Sequence, residues 1–164
     1  MFSGCQTITL DAQYRMAVPV RFRKLVSESS QGTSSQGANS QGTVVATKGI
    51  EGKKLFVTLY TLKKWEEIQA KIKTLPSANP VSQQIRRLLI GSACELELDG
   101  NNRILLPATL RNYMHLDKKA VMMGVGDVIE LWDETEWAAC EQAYQQESVD
   151  FTQLPEIFQN LNFY

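Results

Sequence analysis

Two acid–base pairs occur at one spacing in the chain, Asp11 with Arg15 and Asp99 with Arg103. Four residues apart, such groups suit a tight turn whose carboxylate accepts backbone N–H groups while pairing with the arginine. That turn-structuring role is the expectation for Asp11, Asp99 and Arg103. A guanidinium held outward on a rigid turn can do more, since its planar fork fits phosphate oxygens or the edge of guanine. The first pair has basic surroundings: residues 1–26 hold Arg15, Arg21, Arg23 and Lys24 against the single acid Asp11. A DNA contact is expected here, with Arg15 on a base edge and Arg21, Arg23 and Lys24 on phosphates.

Other chemistries find less support. The only histidine, His115, has no nucleophile beside it in sequence. Gly124-Val125-Gly126 lacks the third glycine of a dinucleotide-binding turn. Carboxylates such as Glu66-Glu67, Glu95 and Glu97 fall on helix or strand surfaces. Cys5, Cys94 and Cys140 are odd in number, widely spaced and without a CxxC pair, which argues against a disulfide framework or a zinc site. No enzyme, cofactor or metal is expected.

Each acid–base pair belongs to a longer repeat. Residues 8–26 and 96–114, offset by 88, share Leu10/Leu98, Asp11/Asp99, Arg15/Arg103, Pro19/Pro107 and Arg23/Arg111. Apolar positions match too: Ile8/Leu96, Met16/Ile104, Val18/Leu106 and Phe22/Leu110. A second landmark, Leu59-Tyr60 with Trp65, returns at an offset of 72 as Leu131-Trp132 with Trp137. Two landmarks in one order mark a duplication. Halves of about 80 residues bury little surface alone, so they are expected to share a core.

Within each half, alternation at Ile8 and Leu10 predicts a strand, Asp11–Tyr14 a turn, and Met16 and Val18 the return strand of a tight hairpin. After Pro19, Phe22, Leu25 and Val26 predict a short helix. The second copy repeats this plan, with Gly100, Asn101 and Asn102 suiting positive φ. Further strands are expected over 44–46, 55–60, 121–123 and 128–132. Trp65, Ile68, Ile72 and Leu75 mark one apolar helix face; Asn79-Pro80 opens another helix with Val81, Ile85, Leu88 and Leu89 apolar; a third runs from Asp133 through Trp137 to Tyr144. Residues 27–43 repeat Ser-Gln-Gly three times and read as a flexible insertion. The expected division is a first repeat over 1–78, a connecting helix over 79–94, a second repeat over 95–147, and a tail over 148–164. In that tail Leu154, Ile157, Phe158 and Leu161 fall at helical spacing.

The net charge of −1 hides a strong asymmetry. All 17 Lys and Arg precede residue 120, and residues 127–164 hold nine acids and no base. A basic working surface with an acidic tail kept away from it follows. No apolar run approaches the roughly 18 residues of a membrane span, and no basic-then-apolar leader opens the chain, which points to the cytoplasm.

At these residues the chain resembles the MraZ family, whose halves each carry a SpoVT/AbrB-type repeat. The match includes Met1-Phe2 and Gly4, both Asp-x-x-x-Arg turns, Leu59-Tyr60 with Trp65, and Asn79-Pro80. It continues through Arg87-Leu88-Leu89 with Gly91 and Ala93, then Glu130-Leu131-Trp132 near Trp137. The resemblance implies an α+β, mainly β fold: a swapped-hairpin barrel in which two pseudo-symmetric halves interleave, with peripheral helices. It also implies a ring-like homo-oligomer that binds double-stranded DNA at short repeated boxes. These lie upstream of the division and cell-wall gene cluster, so the protein would be a nucleoid-associated regulator of that cluster and of its own promoter. The family commonly has glycine before the turn arginine and, in the first copy, a basic residue before that. Here those places hold Gln13-Tyr14 and Asn101-Asn102, and Ser3 replaces a usually basic residue. Asn102 tolerates a left-handed backbone, whereas Tyr14 does so poorly. Either the first turn differs, or Tyr14, with Gln13 beside it, is itself a contact residue. Two other readings stay open: an oligomeric protein-interaction module whose basic hairpin face takes an acidic protein, and a small enzyme using His115.

Overall fold

The computed structural model describes residues 1–29, 42–148, 150 and 153. Most of the Ser-Gln-Gly stretch and the expected apolar spacing at Leu154, Ile157, Phe158 and Leu161 lie outside the described residues. In chain order the elements are β1 (Phe2–Thr9), β2 (Arg15–Ala17), α1 (Val20–Ser29), β3 (Thr43–Lys48), β4 (Val57–Thr61), α2 (Leu62–Lys73) and α3 (Pro80–Leu89). Then come β5 (Cys94–Glu97), β6 (Arg103–Leu105), α4 (Ala108–Tyr113), β7 (Lys119–Gly126), β8 (Val128–Asp133) and α5 (Glu134–Gln146). The chain divides into two compact units, Met1–Glu134 with all eight of these strands, and Thr135–Tyr164 with the remainder of α5.

Six strands form one sheet in the order β1-β7-β8-β4-β3-β5, and β2 and β6 form a two-stranded sheet. Every pairing is antiparallel. The class is α+β, mainly β, as expected. The order also carries the duplication. Exchanging β1, β3 and β4 for their counterparts β5, β7 and β8 gives the same sequence of strands reversed. The halves therefore interleave: β1 pairs with β7 over eight residues, and β3 with β5. The β2–β6 ladder maps onto itself, with Met16 opposite Ile104, its own repeat counterpart.

One expectation is corrected. The return strand β2 does not zip against β1 as a tight hairpin; it pairs with β6 of the other half. β7 takes the length of β1, while β2 is three residues long and buries Met16 completely beside the equally buried Ile104. Inter-half burial outweighs the short local ladder.

The repeat's apolar positions form the core. Ile8, Leu96, Met16, Ile104, Val18, Leu106, Phe22 and Leu110 are all buried in one cluster with Met114, Met122 and Leu131. The helices begin where the sequence places their caps. The Thr61 hydroxyl accepts from Lys64 N at 3.2 Å, and the Asn79 side chain accepts from Val81 N and Ser82 N at 2.8 and 3.2 Å, with Pro80 in the first turn. Buried Thr47 ties the end of α3 to the sheet by donating to Leu89 O at 2.7 Å. In α3 it is Ser82 that is buried, whereas Val81 is 61% exposed and lies off the face expected for it.

Candidate nucleic-acid interface

The two acid–base pairs build nearly superposable turns. In the first, Asp11 Oδ1 accepts from Gln13 N and Arg15 N, both at 2.9 Å, and Oδ2 accepts from Arg15 Nε at 2.9 Å. In the second, Asp99 Oδ1 accepts from Asn101 N at 2.8 Å and Arg103 N at 2.9 Å, and Oδ2 from Arg103 Nε at 3.0 Å. The backbone closes both in the same way. Asp11 N donates to Arg15 O and Asp99 N to Arg103 O at 2.9 Å, while Tyr14 N and Asn102 N return to Asp11 O and Asp99 O.

Tyr14 has φ +61° and Asn102 φ +56°. The first turn therefore does not differ from the second: Tyr14 takes the left-handed backbone despite its side chain. Its ring is 49% exposed and covered by a cation from the other half, the Arg111 guanidinium carbon lying 3.7 Å from the ring centroid. A second link crosses between the halves. Arg103 Nη1 lies 3.4 Å from Asp11 Oδ2, so one carboxylate serves both turn arginines.

These contacts set the charge state of the turns. The Arg15 backbone N–H is the largest influence on Asp11; with the Gln13 N–H and the Arg15 guanidinium it outweighs the upward pull of desolvation and lowers the carboxyl below its ordinary range. At Asp99 desolvation is the largest single influence and acts upward. The N–H groups of Arg103 and Asn101 and the Arg103 side chain together overcome it, and this carboxyl too is lowered.

Arg15 is held by its Nε on Asp11 and its Nη2 on Gln13 Oε1. Among the described residues Nη1 has no hydrogen-bond partner. Gln13 is thus brought to Arg15 as well as being exposed. Arg21 and Lys24 are exposed on α1, and the Arg21 guanidinium lies across Gly4, where a Cβ would collide with it. Arg23 is placed differently. It is part-buried and donates Nε to Val18 O at 2.6 Å, just as Arg111 donates to Leu106 O at 3.1 Å. The sequence signal for this helix-to-strand tether was the repeat match Arg23/Arg111, and sequence reasoning took only the charge from it.

His115 stands just past α4 with φ +52°; its N–H reaches Asn112 O at 3.3 Å, and Leu116 N reaches Arg111 O at 3.0 Å. This is a left-handed helix terminus, a structural place for the residue. Among the described residues no group of three or more His, Cys, Asp or Glu is arranged to hold a metal ion. No helix among them is long and apolar enough to cross a membrane.

Fold and site together define a two-repeat, interleaved β protein that presents paired arginine turns on linked halves. A family model described as "MraZ protein, putative antitoxin-like" matches residues 1–88 and again 89–155. The chain is 42% identical over 139 residues to a protein of Saccharophagus degradans named transcriptional regulator MraZ, covering 85% of this chain and 86% of that one. A protein of Pseudomonas aeruginosa with the same name is 41% identical over 144 residues, 87% of each chain. Another, from Hydrogenovibrio crunogenus, is 33% identical over 161 residues, 98% of this chain and 95% of the relative. The chain belongs to the MraZ family.

Proposed function

We propose that this protein is a DNA-binding transcriptional regulator that recognises its site through the Asp11–Arg15 turn. The carrying observation is the Arg15 fork, held by Asp11 and Gln13 and without a partner at Nη1 among the described residues. A pre-oriented guanidinium loses little freedom on binding and suits the O6 and N7 acceptors of guanine in the major groove. Arg21 and Lys24, exposed on the adjoining helix, reach phosphates and set affinity and its salt dependence. Arg23 adds charge while holding the helix to the strand end. The lowered carboxyls keep both turns ionised and formed at neutral pH.

In the finer form of this reading, ring-like homo-oligomers sit in the cytoplasm on nucleoid DNA. They bind repeated short boxes upstream of the division and cell-wall gene cluster, the protein's own promoter included. One strongly basic turn per protomer binds weakly, so neighbouring protomers on neighbouring boxes supply avidity. Repression by blocking polymerase access fits this arrangement. The relatives' name, transcriptional regulator, supports a binding role over an enzymatic one. The experiment is a binding titration of a duplex from upstream of the protein's own gene against a shuffled duplex: selective binding supports the reading, and equal weak binding to both opposes it.

The words "antitoxin-like" in the family description favour one second reading, an oligomeric protein-interaction module whose Arg15 face takes an acidic protein. Partner capture that survives nuclease treatment, without selectivity among duplexes, is its expected result.

A further inference from the structure

The reading turn carries one feature that its counterpart lacks. Tyr14 and Asn102 occupy the same left-handed place, and Arg23 and Arg111 occupy matching places on the following helices. Only the first turn has a ring there, so the 3.7 Å stack of Arg111 on Tyr14 forms on one side of the pseudo-symmetry axis alone. A left-handed aromatic residue is rare, and such a residue persists only where its surroundings hold it. Here the support is visible. Arg111 is anchored by its Nε on Leu106 O at 3.1 Å, on a helix seated by the 1%-exposed Leu110. Its guanidinium carbon lies over the ring, and Tyr14 stays half exposed, next to Arg15 in the chain.

We infer that Tyr14 is a specificity-determining residue that touches the base pair next to the one read by Arg15, and that Arg111 is the positioning residue that holds its ring flat for this contact. The inference rests on the DNA-binding reading above. It makes the second half of the chain part of the first half's reading surface. It also gives Arg111, a base within the second copy of the repeat, a positioning role in place of a phosphate contact.

Salt dependence separates the two roles. A lost phosphate contact weakens binding to every duplex and reduces the slope of log affinity against log salt by about one. A lost positioning residue lowers the preference for the true site and leaves the slope unchanged. The experiment titrates the full-length parent, Tyr14→Phe, Tyr14→Gly, Arg111→Lys and Tyr14→Gly/Arg111→Lys against the promoter and shuffled duplexes at several salt concentrations, with thermal melting to confirm folding. Arg111→Lys keeps the charge and loses the planar stack. Tyr14→Gly and Arg111→Lys should each lower the promoter preference roughly tenfold, as expected for the loss of a cation–π contact and of the ring contact it positions. The double variant should lose no more than either single one, and Tyr14→Phe should retain the preference. A reduced slope for Tyr14→Gly, fully additive losses, or an undiminished preference in both single variants overturns the inference while leaving the Arg15 reading intact. A parent that binds both duplexes equally overturns both. Should Arg111→Lys fail to melt cooperatively, the comparison of Tyr14→Gly with Tyr14→Phe decides alone: equal preferences overturn the inference.

Discussion

Asp11 and Asp99 form the same hydrogen bonds inside their own turns, but Asp11 also receives Arg103 from the other half. Removing its charge should therefore disturb more. Asp11→Asn is expected to weaken binding to the promoter duplex about tenfold or more, since two charge-assisted contacts lose their acceptor; Asp99→Asn should cost less, and anisotropy titrations of the two variants check the order. The pH response has a definite sign. Both carboxyls titrate below their ordinary range in the folded chain, so the stability they contribute is complete above the unfolded carboxylate pKa and is lost as pH falls through the lowered folded values. Promoter affinity should be flat from about pH 8 to about pH 5 as far as these turns govern it, with loss only under more acidic conditions. At this scale the acid–base spacing made both turns legible, because Asp side chains satisfy their own turn N–H groups locally. The stack of Arg111 on Tyr14 was not legible, since it joins residues nearly a hundred positions apart through a fold that neither encodes alone.

Among the elements, β2 and β6 show how far local pattern reaches. Alternation and a turn correctly marked a short strand after each turn, and Asn79-Pro80 correctly marked the opening of α3, whereas the Thr61 cap of α2 was seen only in the structure. The choice of partner for β2 depends on burying Met16 against Ile104, a contact 88 residues away in sequence. Local alternation carries no information about it. The same limit explains Val81: α3 buries Ser82 instead, and its C-terminal end is tied to the sheet by Thr47, which donates to Leu88 O and Leu89 O. Because the β2–β6 ladder belongs to both halves, cutting its core should loosen them together. Met16→Ala or Ile104→Ala is expected to cost about 2–5 kcal/mol, and urea unfolding followed by tryptophan fluorescence and circular dichroism should still show coincident transitions. Separate transitions for the two probes would indicate halves that fold independently.

At the scale of the whole molecule, the duplication and the charge asymmetry were both visible as sequence, and the palindromic strand order is what the duplication becomes when neither half can enclose a core alone. The first half carries the richer basic turn, and the second half braces it through Arg103 and Arg111. On the proposed reading one turn per chain contacts DNA, so avidity is the source of tight binding. Duplexes with two boxes about one helical turn apart should bind far more tightly than single-box duplexes, and displacing one box by half a turn should remove most of that gain. The most direct test of the central claim is fluorescence anisotropy of the parent and Arg15→Ala on promoter and shuffled duplexes of equal composition. Base reading by Arg15 predicts selective promoter binding by the parent. In a normally folded Arg15→Ala it predicts a loss of about ten- to hundredfold of that selectivity, the worth of one bidentate base contact. Promoter binding by Arg15→Ala as tight and as selective as the parent's would contradict it.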